Sequence, residues 1–117
     1  MVDLGTDSPE SVDYPDFGHA IGHEVAAGRA DRGVAVCGSG IGICIAANKI
    51  SGTRAATVHD VTSARLSREH NDANIMCLGE RFVGVQVALD AVDAFLATDF
   101  AGGRHQRRVS KMELEVD

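Results

Sequence analysis

Gly33-Val-Ala-Val-Cys37-Gly38-Ser39-Gly40-Ile41-Gly42-Ile43-Cys44 is the stretch that decides the fold. Its opening GVAVC run is apolar through its length, which predicts a short strand buried on both faces. Three alternating glycines then turn the chain into a helix expected over Ile41 to Lys49. Two similar runs, Arg54 to Val58 and Asn74 to Leu78, predict further buried strands. Helical patterns are expected at Asp16 to Ala27, Asp60 to His70 and Val85 to Ala97, the last with Val85, Leu89, Val92 and Leu96 as its apolar face. Strands that alternate with helices form right-handed βαβ units, so the class is α/β, a three-layer Rossmann-like sandwich around an open parallel sheet. A weaker strand is expected at Val2 to Leu4, followed by a turn-rich loop from Gly5 to Asp13.

The 117 residues suit one domain spanning 1–117, and a composition of 44% hydrophobic and 24% charged residues is that of a globular chain. A net charge of -6 argues against nucleic acid as a partner. Neither a secretory leader nor an apolar run of about 18 residues is present, which argues against a membrane partner. Three cysteines, Cys37, Cys44 and Cys77, are an odd number and point to free thiols in a reducing cytoplasm.

Ligands of open parallel sheets lie beyond the carboxyl ends of the strands, where Cys37 is expected. Gly38, Gly40 and Gly42 let the backbone approach a ligand closely, and the amides opening the following helix favour an anion. The same field favours a thiolate, so Cys37 is a candidate general base or nucleophile. A tight strand-to-helix turn beside a buried cysteine is the plainer alternative. The spacing is neither the GxGxxG of a dinucleotide site nor a Walker loop, and no arginine lies inside the loop as a cysteine phosphatase requires.

Five motifs in order carry a resemblance. These are Cys37-Gly-Ser-Gly-Ile-Gly-Ile-Cys-Ile-Ala-Ala-Asn-Lys49, Gly52-Thr-Arg-Ala-Ala56, Ser67-Arg-Glu-His-Asn-Asp72, Cys77-Leu-Gly-Glu-Arg81 and Gly102-Gly-Arg-His-Gln-Arg-Arg108. From Asp13 to about Lys111 the chain resembles the ribose-5-phosphate isomerase B family, grouped with the galactose-6-phosphate isomerases. The resemblance implies an aldose-ketose isomerase that interconverts ribose 5-phosphate and ribulose 5-phosphate through an enediolate. Such chemistry needs a base, a site for the oxyanion and a phosphate anchor. By the resemblance Cys37 is the base and the amides of Gly38, Ser39, Gly40, Ile41 and Gly42 hold the enediolate, with the Ser39 side chain near the reacting oxygens. His70 is the ring-opening acid, Asn71 and Tyr14 lie near the sugar, and Arg81, Arg104 and Arg108 bind substrate, chiefly its phosphate. Arg104 and Arg108 share one face if their segment is helical.

His70 precedes its strand, whereas Cys37 ends another, and a five-residue strand spans about 16 Å. The two therefore belong to a site shared between subunits, which implies a homodimer or a dimer of dimers. No cofactor is expected, and no metal: His19 and His23 stand four apart without a third ligand. The family's opening strand with its Asp-His pair and the helix after it have no counterpart here. Their loss would leave Val2–Leu4 and Gly33–Cys37 about 9.6 Å apart with unpaired backbone groups. A phosphocysteine carrier of the sugar-transport IIB type and a noncatalytic sugar-phosphate-binding subunit stand as alternative functions.

Overall fold

The computed structural model describes residues 1–6 and 11–113. In chain order it has α1 (Tyr14–Ala26), β1 (Gly33–Cys37), α2 (Ile41–Asn48), β2 (Ala55–Thr57), α3 (Val61–Asn71), β3 (Ile75–Gly79), α4 (Val85–Ala97) and α5 (Arg104–Met112). The strands form one parallel sheet in the order β1-β3-β2. Cys37 pairs with Gly79, and Thr57 with Cys77. β3 lies in the middle and is buried at every position, as its apolar run demands.

Each face of the sheet carries its own core. Val25, Ala35, Ile43, Ala47, Ile75 and Cys77 pack on the α1/α2 side. Val58, Ala64, Ala73, Met76, Leu78, Ala91 and Phe95 pack on the α3/α4 side. α1 approaches α2 through Gly18 and Gly22, where a Cβ would lie 2.7 Å from the Ala46 Cβ and 2.8 Å from Ile50 Cγ1 respectively. α3 starts at a reciprocal cap: the Asp60 carboxylate accepts from the Ser63 N–H at 2.7 Å and the Ser63 hydroxyl accepts from the Asp60 N–H at 3.2 Å. The Ser63 N–H first, and then the Ser63 side chain, hold the Asp60 carboxyl below its usual range.

Arg68 is 5% exposed on the inner face of α3. Its guanidinium donates to the carbonyls of Thr98 at 3.0 Å and Ala73 at 2.7 Å and to the Asp72 carboxylate at 2.7 Å. It also stands over the Phe95 ring at 5.9 Å. On the outer edge of β2, the Asn48 carboxamide accepts from the Ala55 N–H at 2.8 Å and donates to the Ala55 carbonyl at 2.9 Å.

Three expectations are corrected. Val2–Leu4 is not a strand, so no 9.6 Å gap between two strands arises. The Asp3 carboxylate accepts from the Gly5 N–H at 2.9 Å, a local turn that competes with ladder pairing. Of the loop expected over Gly5 to Asp13, residues 7–10 lie outside the described residues, and the others form neither helix nor strand. β1 is covered on one face only: Val34 and Val36, in register with Met76 and Leu78, are exposed. On α4 the expected stripe does not face the core, for Val85, Leu89 and Leu96 are exposed and only Val92 packs inward. Ala88, Ala91, Ala94 and Phe95 make the contact instead, because small side chains let the helix sit close to the sheet. Among the described residues no helix is long and apolar enough to cross a membrane.

Candidate active site

β1 delivers Cys37 to the carboxyl edge of the sheet, and the chain then turns through Gly40, whose φ of 77° suits a residue without a Cβ. A Cβ there would also lie 2.8 Å from the Leu78 carbonyl carbon. The turn folds back on itself, so that Gly40 N–H donates to Cys37 Sγ at 3.1 Å and Ile41 N–H to Ser39 Oγ at 3.2 Å. The Thr57 hydroxyl braces it from β2 by donating to the Gly40 carbonyl at 3.1 Å. Gly79 leaves room for it, since a Cβ at that position would lie 2.9 Å from Ser39 Cα. Cys37 and Ser39 are half-buried.

Two more predicted residues reach this loop. Arg81 donates its backbone N–H to the Gly38 carbonyl at 3.1 Å, and its Nε lies 3.5 Å from where a Gly38 Cβ would be. Tyr14, at the start of α1, places its ring against Gly42, with the hydroxyl 2.7 Å from the point a Cβ on that glycine would occupy. Thus Cys37, Ser39, the glycine loop, Arg81 and Tyr14 form one cluster.

His70, Asn71, Arg104 and Arg108 form another. His70 and Asn71 end α3, ahead of the amino end of β3, whereas Cys37 pairs with the carboxyl end of that strand. About 16 Å of strand separates the two levels. The basic segment is helical, so Arg104 and Arg108 do share a face, and both are exposed. Asn71 borders a recess of about 390 Å³ with Asn48, Arg54, Ala55 and Glu113.

His105 is a member of the second cluster that residue patterns missed. Its ring stacks on His70 with centroids 4.4 Å apart. Burial, then His70, Arg104 and Arg108, hold it below the usual imidazole range, against an opposing pull from Glu69. Behind the loop, Cys44 is half-buried and Cys77 fully buried, as expected of core thiols. Their mutual hydrogen bond draws Cys44 down to about 6, with help from Thr57, and, together with burial, pushes Cys77 up. All three cysteines are free, and no group of three metal-ligating side chains occurs among the described residues.

The fold and site define an α/β protein that presents a thiol and a glycine-rich loop together at the carboxyl edge of a parallel sheet. The chain belongs to the ribose/galactose isomerase family, whose model matches residues 1–112. Ribose-5-phosphate isomerase B of Clostridium thermocellum is 56% identical, with a TM-score of 0.93 over 95% of this chain and 75% of that one. The type B ribose 5-phosphate isomerase of Trypanosoma cruzi is 51% identical, also at a TM-score of 0.93, over 95% and 75% of the two chains. Ribose-5-phosphate isomerase B of Escherichia coli is 47% identical over 109 residues, 93% of this chain and 73% of that protein. The chain thus spans about three quarters of the length of these relatives.

Proposed function

We propose that this chain, as a single isomerase domain, interconverts ribose 5-phosphate and ribulose 5-phosphate. The observation that carries the reading is the Cys37 thiol set in a glycine loop, with Arg81 beside the same loop. His70 protonates the ring oxygen as the furanose opens, and the aldehyde form then sits over the loop. The Cys37 thiolate takes the proton from C2, the backbone amides of Gly38 to Gly42 and the Ser39 side chain hold the enediolate, and the thiol returns the proton to C1 while the hydroxyl proton of O2 passes to O1, which gives the ketose. Preorganised donors of this kind contribute on the order of a hundredfold in rate. Asn71 and Tyr14 contact the sugar, and Arg81, Arg104 and Arg108 hold the phosphate by their planar forks. No cofactor or metal takes part. Three free cysteines suit a cytoplasmic setting.

Because Cys37 and His70 lie at opposite ends of β3, the working site takes His70, Asn71, Arg104 and Arg108 from a second copy, in a dimer or a dimer of dimers. Conversion of ribose 5-phosphate to the ketose is to be abolished by Cys37→Ser. Sharing is tested by mixing: Cys37→Ser and His70→Gln are each inactive, yet their reassociated hybrid holds one intact site of two. A statistical mixture of two-fold dimers then regains about a quarter of the parent activity. An active monomer, or no recovery in a mixture shown to contain hybrids, overturns the shared site. A phosphocysteine on exposure to a phosphoryl donor would favour the carrier reading instead.

A further inference from the structure

Two imidazoles from different helices lie face to face: His70 in the last turn of α3 and His105 in the first turn of α5 are 4.4 Å apart at their centroids, with planes within 15°. The two helices are fastened together independently of the rings. Val109 of α5 is 5% exposed, and Ala101, just ahead of α5, donates its N–H to the Glu69 carbonyl at 3.1 Å. We propose that His105 is a positioning residue for His70, fixing the plane of its ring. This rests on the reading of His70 as the ring-opening acid.

The physical case has two parts. A histidine at a helix end is free to turn about its broad second torsion, and a donor must meet its acceptor within about 2.6–3.2 Å in a set direction. A parallel ring against one face removes that freedom while leaving the ring nitrogens at the edges open. The second part is charge. The groups facing His105 are Glu69 and His70 from α3 and Arg104 and Arg108 from its own helix. Cations outnumber the one carboxylate, so two stacked imidazolium rings would repel with little to offset them. Burial, His70, Arg104 and Arg108 all disfavour charge on the His105 ring, so it can stay stacked on His70. His105 therefore links the helix that carries the phosphate-binding arginines to the proton donor without touching the reacting atoms.

The test combines proton NMR of the histidine rings with steady-state kinetics on ribose 5-phosphate. In the parent protein the His70 ring signals are expected to show the ring-current shift of a stacked partner. His105→Ala should remove that shift, His105→Phe, which keeps an aromatic face, should retain it, and the signals of His19, His23 and His59 should not move. His105→Ala is expected to lower kcat by about tenfold with KM nearly unchanged, and His105→Phe to restore most of the loss, as befits a group that orients an acid. His70 ring signals that are unchanged in His105→Ala overturn the inference. So does a His105→Ala enzyme with the parent kcat when His70→Gln is crippled, and that result leaves the assignment of His70 standing. Full activity in His70→Gln removes both.

Discussion

The backbone N–H of Gly40 donates to Cys37 Sγ at 3.1 Å. Gly40 itself takes a left-handed φ of 77°, and the opposing β3 backbone closes the space where a side chain would go. Gly40→Ala is therefore expected to cost about 1–3 kcal/mol of stability, read from urea unfolding, and to depress isomerisation beyond what the lost stability explains. An alanine variant as stable and active as the parent would contradict the role given to this turn.

Gly42 answers differently to the same change. It lies within α2, where alanine is the better helix former by up to about 1 kcal/mol, and the obstacle is the side chain of Tyr14, which is exposed and can swing away. Gly42→Ala should unfold near the parent's urea midpoint, yet raise KM for the sugar phosphate because Tyr14 is displaced. On a Tyr14→Ala background it should add little, so a double-mutant cycle reads the coupling directly.

Arg68 is a cation whose work is structural. With two carbonyls and the Asp72 carboxylate depending on it, Arg68→Ala is expected to destabilise by about 3–5 kcal/mol. Arg68→Lys cannot reproduce the fork and should recover only part of this, as measured by thermal unfolding. Phe95→Ala, which empties the ring site beneath the guanidinium, should cost a similar amount, about 3–5 kcal/mol.

The acid limb of stability carries the signature of His105. Its imidazole takes up a proton less readily in the folded chain than in the unfolded one, because of burial and the nearby His70, Arg104 and Arg108. The resulting penalty is absent above the unfolded value of about 6.5, grows as pH falls through it, and levels off below the folded value. The urea midpoint of the parent should thus fall between about pH 7.5 and pH 5.5, and His105→Phe should flatten part of that slope. An identical slope in the variant would show that other groups set it.

The order of elements was legible because apolar runs and helical patterns alternate without interruption. β1 and α4 occur over the very residues expected, α1, α2, β2, α3 and β3 differ by one or two residues at their ends, and α5 forms over a segment whose helicity was only a condition. Val2–Leu4 misled because three residues of apolar character say nothing of the Asp3 side chain, which hydrogen-bonds locally. The α4 stripe misled for another reason: periodicity ranks side chains by hydrophobicity, whereas the sheet selects the alanine-lined face that fits closely around Phe95. Within the candidate site, the family resemblance singled out Cys37, Ser39, Tyr14 and Arg81, which do cluster. The stacking of His105 depends on how α5 returns across the end of α3, a contact between segments 35 positions apart that no local pattern encodes.

Asn48 gives the sheet a polarity of growth. By occupying both the donor and the acceptor of Ala55, its carboxamide imitates one rung of a neighbouring strand, so an incoming chain finds the first docking point on β2 already taken. A bare edge strand is a template for fibrous self-association, and one amide side chain on a helix is a simple stopper for it. The molecule thus guards one flank of its sheet against uncontrolled polymerisation with a single amide side chain from α2.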